Sequence, residues 1–442
     1  MMVSKYCKNV KVDKNIYAVF NSLIMQPVFL TKEKLDNLKN DFFDCFSNDE
    51  IEFLKNFGIV VKDSKTDAEL LKIIKEEYYK NIENKITIMY LIPVNTCNLG
   101  CKYCFIGKLN NKEQKMTFDT AKKAIDMFSK HLDSVKEKGE IFFYGAEPLI
   151  NFDLIEKVVK YINLNNYNIK FSMVSNGLLV NEKIADFIKK YNIGLGISID
   201  GPKNVTDANR VFKNTDLGIY DKLLEKINLL KKYDVDFGLS ITVSPTFIEN
   251  KKQIIEWLKR LNVKNISYNL LHYTYKTDEW KEYYKKAVDF IYYSNLELFD
   301  YGFNEDRINR KYKSVYLNEF KYSDCGALGA NQITVCPNGD IEICHGYWNK
   351  EKHALPNINS LNDLSELFDL ADFKKWKTYL PIFKSKCLKC PAIYLCGGGC
   401  AMQSNDLFGD PNNIDKAFCI YSKKMLKYIM EEIYQDAKNS QN

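Results

Sequence analysis

Apolar stretches of strand length alternate with longer stretches of helical pattern between residue 86 and about residue 310. Such alternation predicts βα units whose strands form a parallel sheet, with functional side chains at the carboxyl ends of the strands. The predicted strands cover residues 86–94, 141–144, 171–174, 194–200 and 237–243, and the clearest helices cover residues 121–132, 153–164 and 220–232.

Residues 1–85 predict a unit of their own. Strand-like runs at 16–20 and 27–30 precede a helix with Thr31 at its N-cap. A second helix begins near Asn48 and ends near Gly58, before a strand at 59–61. This order resembles a winged-helix domain and is similar to the element with which many peptide-modifying enzymes hold a leader peptide. An N-terminal cap on a catalytic domain is the alternative.

From about residue 311 to 442, short loops that carry cysteines replace the regular alternation. Within residues 335–344, the sequence Pro-Asn-Gly-Asp predicts the turn of a hairpin. A closing helix is expected over residues 425–437. The chain is therefore predicted to have three parts, at 1–85, 86–310 and 311–442.

Composition and charge exclude several classes of protein. The 442 residues are 46% hydrophobic and 27% charged, with a net charge of +6 and lysines scattered among acidic residues. No basic patch for nucleic acid is visible, and no run approaches the roughly 18 apolar residues of a membrane helix. The first residues lack the apolar core of a signal peptide. We expect a cytoplasmic protein without nucleic-acid or membrane partners.

The cysteines change the picture. Thirteen thiols in a chain expected to be cytosolic indicate metal or redox chemistry rather than disulfides. Three lie at residues 97–104 and eight between 325 and 419. Cys7 and Cys45 stand apart, and we interpret them as inert thiols.

Cys97, Cys101 and Cys104 are spaced Cys-x3-Cys-x2-Cys directly after the predicted strand at 86–94. Three thiolates on one loop can hold three irons of a four-iron cluster and leave the fourth iron open to a small molecule. The loop resembles that of the radical S-adenosylmethionine (SAM) enzymes. The resemblance implies an α/β fold with a partial (β/α)6 TIM-like barrel, a SAM-binding [4Fe-4S] cluster and reductive cleavage of SAM to a 5′-deoxyadenosyl radical.

Further fragments in the family's order resemble its SAM site. The sequence Gly145-Ala146-Glu147-Pro148 is similar to the family's Gly-Gly-Glu-Pro motif, with alanine at the second position, and the resemblance implies that Glu147 holds the SAM ammonium. It implies ribose contacts for other strand ends and a carboxylate contact for Arg210. Alone, each fragment is more typical of a turn or helix cap. The implied SAM-binding residues are Tyr103, Gly145, Ala146, Glu147, Ser175, Asn176, Ser198, Asp200 and Arg210.

The cysteines after residue 311 match the pattern of the seven-cysteine SPASM domain. The resemblance implies two auxiliary [4Fe-4S] clusters, although structural zinc is the alternative for Cys-x2-Cys pairs. The distal cluster would be held by Cys387, Cys390, Cys396 and Cys419, and the cluster nearer the active site by Cys325, Cys344 and Cys400.

The near cluster lacks one ligand of the family's fully ligated members. Those members carry a cysteine six residues before the first of the seven, where this chain has Glu319. The fourth position is left to Cys336, to Glu319, to a substrate thiol or open. Cys336 is interpreted first as a buried structural thiol.

Three functions are consistent with these motifs. The first is a maturase that crosslinks a ribosomally made precursor peptide carrying a leader, as a thioether first and a carbon–carbon bond second. Its partners would be that peptide and an electron donor such as flavodoxin or ferredoxin. The second is an anaerobic sulfatase-type maturase that makes formylglycine. The third is a zinc-stabilised binding protein without activity.

The residue after Cys344 separates the first two functions. Sulfatase-type members carry an acidic base there, whereas this chain has His345. Its imidazole is a candidate proton acceptor, because its pKa lies in the useful range. A hydrogen bond to the cluster is the other interpretation.

Overall fold

The computed structural model describes residues 1–104, 106, 113–272, 279–348 and 355–440. Across these ranges, no helix combines the length and the apolar character needed to span a bilayer.

The N-terminal part combines short strands with three helices. The three strands from β2 to β4 form an antiparallel sheet in the order β2-β3-β4, and β1 pairs with β5. Thr31 caps α1 as predicted, and Ser47 forms a capping box with Glu50 at the start of α2. The sequence analysis did not predict α3. The elements are β1 (Met2–Val3), β2 (Cys7–Lys11), β3 (Ile16–Asn21), β4 (Val28–Thr31), α1 (Lys32–Lys39), α2 (Asn48–Asn56), β5 (Val60–Val61) and α3 (Ser64–Asn81).

The middle of the chain is a partial (β/α)6 barrel, as expected. Six parallel strands from β6 to β11 lie side by side in sequence order. Its elements are β6 (Ile88–Leu91), α4 (Phe118–Val135), β7 (Gly139–Phe143), α5 (Phe152–Leu164), β8 (Ile169–Ser175), α6 (Glu182–Lys190), β9 (Gly194–Ser198), α7 (Lys203–Asn209), α8 (Tyr220–Lys232), β10 (Phe237–Val243), α9 (Pro245–Glu249), α10 (Lys251–Leu261), β11 (Asn265–Leu270) and α11 (Glu279–Phe299).

The barrel core lies between the sheet and its helices. Met89, Ile141 and Ile197 on three of the strands are fully buried and share one large cluster with Ile155 of α5 and Leu223 of α8. Buried residues alternate with partly buried or exposed ones along these strands, as in β10, where Phe237, Leu239, Ile241 and Val243 are buried, so one face of the sheet packs in this core.

The last part of the chain is built from short elements and ends in a long helix. These are β12 (Asn304–Glu305), α12 (Asp306–Tyr316), β13 (Gln332–Val335), β14 (Ile341–Glu342), α13 (Ala371–Lys377), α14 (Ser385–Leu388), α15 (Ile393–Cys396), α16 (Ala401–Phe408) and α17 (Lys416–Asn439). The predicted hairpin is β13–β14.

The hairpin also extends the barrel sheet. Strand β13 pairs with β6 in parallel register, with Ile333 opposite Met89, and all four of its residues are buried. Strand β12 continues the opposite edge beside β11. The sheet therefore has nine strands, because segments beyond residue 300 cover both edges of the six-stranded barrel.

The N-terminal sheet packs on the C-terminal helix. Ala18 and Phe20 of β3 share a buried cluster with Leu426 and Ile429 of α17. The contact joins the first and last parts of the chain through apolar burial, which is the main stabilising term at such interfaces.

Candidate active site

The loop with Cys97, Cys101 and Cys104 follows β6 and is fixed by backbone hydrogen bonds to the segment after α7. Gly100 N donates to Val211 O at 2.9 Å, and Lys102 N donates to Asn209 O at 2.9 Å. This contact places the loop beside Arg210. No local sequence pattern indicates this contact, because the partners are more than 100 residues apart.

The donor set of this loop fits an iron–sulfur cluster. Burial raises the pKa of Cys97 to about 12 and also raises the pKa of Cys101. A thiol with so high a pKa stays protonated at neutral pH until a metal displaces the proton. Thiolate is the ligand that such clusters use.

Glu147 joins the ends of β7 and β8. Its Oε1 accepts hydrogen bonds from Ser175 Oγ at 2.8 Å and Leu149 N at 3.1 Å, and its Oε2 accepts one from Asn176 N at 2.8 Å. Burial raises the pKa of Glu147 to about 7, although the three donors favour the carboxylate. A cation would therefore be well placed against this buried acid.

Gly145 meets a backbone requirement at the end of β7. Its φ is +119°, and a Cβ there would lie 2.7 Å from Ile92 Cγ2. The first motif glycine therefore cannot be replaced without strain. The partly buried Ala146 follows, at the position where the family motif has its second glycine.

Asp200 forms the centre of a buried polar cluster after β9. Its Oδ1 accepts hydrogen bonds from Arg210 Nη2 at 3.0 Å and Thr242 N at 3.1 Å, and its Oδ2 accepts one from the Tyr103 hydroxyl. Ser198 lies two residues before it and is half-buried. The cluster brings Tyr103, Asp200 and Arg210 together beside the Cys97 loop.

The Arg210 guanidinium is held in place but not saturated. Burial alone would lower its pKa, but Asp200 and Tyr103 keep the pKa above its ordinary value, so the group is charged. Within the described residues, its buried Nε has no hydrogen-bond partner. An unpaired buried donor is energetically unfavourable, so this N–H fits an acceptor such as a carboxylate.

The four predicted distal cysteines lie together. Cys387, Cys390, Cys396 and Cys419 line one cavity of about 420 Å³. Burial raises the pKa of Cys419 to about 12, and the other three thiols add to the effect. The donor set is all sulfur, as a cluster requires.

The three predicted near cysteines form a second group. Burial raises the pKa of Cys344 well above its ordinary value, and the neighbouring Cys400 and Cys325 raise it further. Within the described ranges, no three His, Cys, Asp or Glu side chains stand close enough to hold a single metal ion. The ligands of a four-iron cluster bind separate irons and are spaced more widely.

Tyr144 connects the near group to the SAM-loop cysteines. Burial raises its pKa to about 12, and the thiols of Cys104 and Cys344 both contribute. The charges of both sets of cysteines therefore act on the same half-buried tyrosine.

His345 stacks in an aromatic enclosure. Its ring lies 4.4 Å from that of Tyr90 and 4.9 Å from that of Tyr144. Burial lowers its pKa to about 4, so the imidazole is neutral at pH 7. In the part of the chain that the structure describes, its buried Nδ1 has no hydrogen-bond partner.

The two named candidates for a fourth near ligand occupy different surroundings. Cys336 is 2% exposed, and its Sγ donates to Trp348 O at 3.4 Å within an apolar cluster that includes Ile92. Glu319 is exposed, and its charge together with burial raises the pKa of Tyr394 to about 12.

A histidine–aspartate pair was missed by the sequence analysis. His272, just after β11, places Nε2 2.8 Å from Asp406 Oδ2 on α16. Burial raises the pKa of Tyr347, and the charges of Cys344, Cys400 and Asp406 raise it further. The pair thus lies on the near-group side of the barrel mouth. The sequence places a histidine at a strand end but does not indicate its partner, because Asp406 is 134 residues away.

Residues 91–287 match the model of the radical SAM superfamily. An uncharacterized protein of Methanocaldococcus jannaschii is 35% identical over 299 residues, which cover 65% of this chain and 98% of that protein. The radical SAM cyclopropyl synthase TigE of Paramaledivibacter caminithermalis is 24% identical over 98% of this chain and 96% of its own.

Solved structures share the fold. That of anSMEcpe with bound AdoMet has a TM-score of 0.67 at 20% identity and covers 80% of this chain and 95% of its own. That of Streptococcus suis SuiB bound to the precursor peptide SuiA has a TM-score of 0.56 at 14% identity and covers 95% of this chain and 99% of its own. From the sequence relationships, the chain belongs to the radical SAM superfamily.

Proposed function

We propose that this protein is a radical SAM peptide maturase that installs a crosslink in a ribosomally made precursor peptide. Family membership implies SAM and a [4Fe-4S] cluster, which together supply a radical that removes a hydrogen atom from the substrate. The observation that carries the proposal is the half-buried Tyr144, whose ring lies 4.9 Å from that of His345, the residue after Cys344. Burial raises the pKa of Tyr144, and the thiols of Cys104 and Cys344 both raise it further. A substrate there would be within reach of both sets of cysteines.

The SAM-site residues receive the roles that their surroundings support. Cys97, Cys101 and Cys104 hold the cluster. The carboxyl of Glu147 suits the SAM ammonium, and the unpaired Nε of Arg210 suits its carboxylate. Backbone carbonyls of Gly145 and Ala146 are assigned to the ammonium together with Glu147. The ribose contacts are assigned to Ser175, Asn176, Ser198 and Asp200.

The near and distal thiol groups are assigned to two auxiliary clusters. Iron–sulfur clusters held there would accept single electrons. Crosslinking removes two hydrogens from the peptide: one leaves as an atom, and the other leaves as a proton and an electron. Reductive cleavage of SAM consumes one electron, for which flavodoxin or ferredoxin is the expected donor.

Two imidazoles are candidate proton acceptors. His345 is neutral, but its lowered pKa makes it a weak base. His272 is oriented by Asp406, and a carboxylate partner favours the imidazolium that forms when the base takes a proton. We therefore favour His272 over His345, which takes the role of an aromatic packing partner of Tyr90.

Residues 1–85 are assigned to leader binding, 86–310 to the catalytic barrel and 311–442 to the auxiliary clusters. Both β2 and β4 are edge strands of the small sheet, and an extended peptide can add to such an edge. The similarities to TigE and to the peptide-bound SuiB extend over this N-terminal part, since they cover 98% and 95% of the chain.

The type of bond that forms the crosslink is a separate part of the proposal. Exposed Glu319 at the position of a missing cysteine supports a near cluster open to a substrate thiol, and hence a thioether. Similarity to a cyclopropyl synthase supports carbon–carbon closure. Both reactions remove two hydrogens.

The test is anaerobic incubation of reconstituted enzyme with SAM, dithionite and the short peptide encoded beside its gene. Mass spectrometry would follow 5′-deoxyadenosine and the peptide. We expect loss of two hydrogens and a new link between residues, and thiol blocking then separates a thioether from a carbon–carbon bond. The variant C101A is the matched control, because it should produce neither signal.

Two results would contradict the proposal. Formation of deoxyadenosine without any change in the peptide would show that this peptide is not the substrate. Conversion of a sulfatase-derived peptide to formylglycine would replace crosslinking with sulfatase maturation.

A further inference from the structure

A buried ion pair bridges the near and distal thiol groups. Lys311, on α12, is 1% exposed. Its Nζ donates to Asp324 Oδ1 at 2.6 Å and to Cys396 O at 3.0 Å. Asp324 directly precedes Cys325, so the two charges stand beside ligand segments of different groups.

The backbones of those ligand segments touch. Asp324 N donates to Gly397 O at 2.8 Å. A Cβ on Gly397, whose φ is +70°, would lie 2.4 Å from Asp324 N. Glycine is therefore required for this approach, and the ion pair lies beside a direct backbone contact between the Cys325 and Cys396 segments.

The two charges act unequally on the two groups. Lys311 lies against the distal segment, because its Nζ stands 3.0 Å from the backbone oxygen of Cys396. Asp324 lies against the near segment, because it directly precedes Cys325 in the chain, and Arg310, whose Nη1 donates to Asp324 O at 3.1 Å, offsets its negative charge in part. The Lys311 ammonium also lies 5.2 Å from the centre of the Phe418 ring, and the residue is 1% exposed, so water is largely excluded from it. Charges interact strongly where water is excluded.

We propose that the Lys311–Asp324 pair gives the distal cluster a higher reduction potential than the near cluster and so directs electrons outward. The inference rests on the two auxiliary clusters of the proposed function. An added electron is negative charge, which the ammonium stabilises at the distal site and the carboxylate destabilises at the near site. The near cluster is oxidised by one electron as the distal cluster is reduced by one. The distal cluster then passes that electron to a one-electron carrier such as flavodoxin or ferredoxin.

The test is an anaerobic redox titration of the reconstituted full chain, followed by electron paramagnetic resonance. K311M should make the distal midpoint potential more negative, and D324N should make the near one more positive. K311R should stay close to wild type, because it keeps the charge. C419A, which removes a distal ligand, assigns the distal signal.

K311M alone leaves the Asp324 carboxylate buried and unpaired, which destabilises folds strongly. The double variant K311M/D324N removes both charges and should keep its iron while the gap between the two midpoint potentials narrows. K374M is the matched control, since Lys374 pairs with Asp369 in solvent.

Each result is decisive. An unchanged gap in the double variant with full iron content would overturn the inference and leave the clusters in place. Wild-type enzyme with iron for only one cluster would instead refute the auxiliary clusters of the proposed function. The potentials also separate tuning from a merely structural role, which would lower the melting temperature without changing the gap.

Discussion

The side-chain amide of Asn176 donates a hydrogen bond to Asn98 Oδ1 at 2.7 Å and ties the end of β8 to the loop of Cys97 and Cys101. The same Nδ2 lies 3.7 Å from Cys97 Sγ. One side chain thus connects the proposed ribose contacts to the proposed cluster loop. Removal of this side chain should weaken the ribose contacts and the packing of the cluster loop without abolishing binding of SAM or of the cluster.

We predict that N176A weakens SAM binding about fivefold while the iron content stays unchanged, because a buried hydrogen bond contributes about 1 kcal/mol. Anaerobic equilibrium dialysis would measure the affinity. N165A is the control, since Asn165 is exposed and bonds only within its own helix end. Equal affinities for N176A and wild type would refute this role.

Arg210 should matter more to stability than Tyr103. R210M leaves Asp200 buried without its cation and should lower the free energy of unfolding by about 3–5 kcal/mol. Y103F removes one hydrogen bond and keeps the ring, for about 1 kcal/mol. Urea unfolding without SAM would compare them. The double variant R210M/D200N should recover much of the loss, and no recovery would contradict the pairing.

Gly145 and Ala146 should respond in opposite ways to substitution. G145A places a methyl group 2.7 Å from Ile92 Cγ2 and should lower the melting temperature clearly. G302A is the control for backbone strain alone, because Gly302 has a φ of +71° with open space around it. A146G restores the family motif and should keep SAM cleavage within about twofold. An unchanged melting temperature for G145A would contradict this prediction, because it would show that the backbone at the end of β7 can shift to accommodate the methyl group.

His131 should make stability depend on pH. Burial lowers its pKa, and its Nε2 accepts a hydrogen bond from Ile86 N at 3.0 Å. In the unfolded chain His131 takes up a proton near pH 6.5, whereas in the folded chain it does so only at a lower pH. The contribution of neutral His131 to the free energy of unfolding is therefore complete above about pH 6.5 and is lost as the pH falls towards the folded pKa.

At about pH 6, the loss from His131 is at most about 0.8 kcal/mol. Unfolding of wild type and H131Q at about pH 8 and about pH 6 would measure it. The glutamine oxygen can still accept from Ile86 N, so H131Q should lose less stability on acidification. Equal losses would contradict the assignment.

Substitution of His272 should lower product formation without affecting radical formation. If it accepts the substrate proton, H272Q should keep deoxyadenosine formation but lower crosslinked peptide by about a hundredfold. D406N should lower it less, because the imidazole remains. H345Q is the comparison variant, and a larger loss there than in H272Q would reverse the assignment.

Much of the fold was predictable because its signals are local. The cap at Thr31 and the turn around Gly339 depend on neighbours in sequence, and both form as predicted. The helix over residues 220–232 is α8 itself. The spacing of Cys387 and Cys390 likewise indicated one site, which the structure gathers with Cys419 around a single cavity.

The remainder depends on contacts between distant segments. Nothing near Lys311 in the sequence indicates that Cys396 will lie beside it. The pairing of His272 with Asp406 follows from where α16 packs. Glu147 was expected to face a ligand, yet its buried carboxylate is also bonded to Ser175, and only the folded chain shows this second role.

The pairing of β13 with β6 has a consequence for how the protein can be divided. A chain ended near residue 310 would expose the β6 edge as a row of unpaired amides and carbonyls beside an apolar face. Such a fragment would tend to self-associate rather than fold as a free barrel. The cysteine-rich segment is therefore structurally inseparable from the catalytic sheet, and neither half could be exchanged between relatives without carrying the shared strand along.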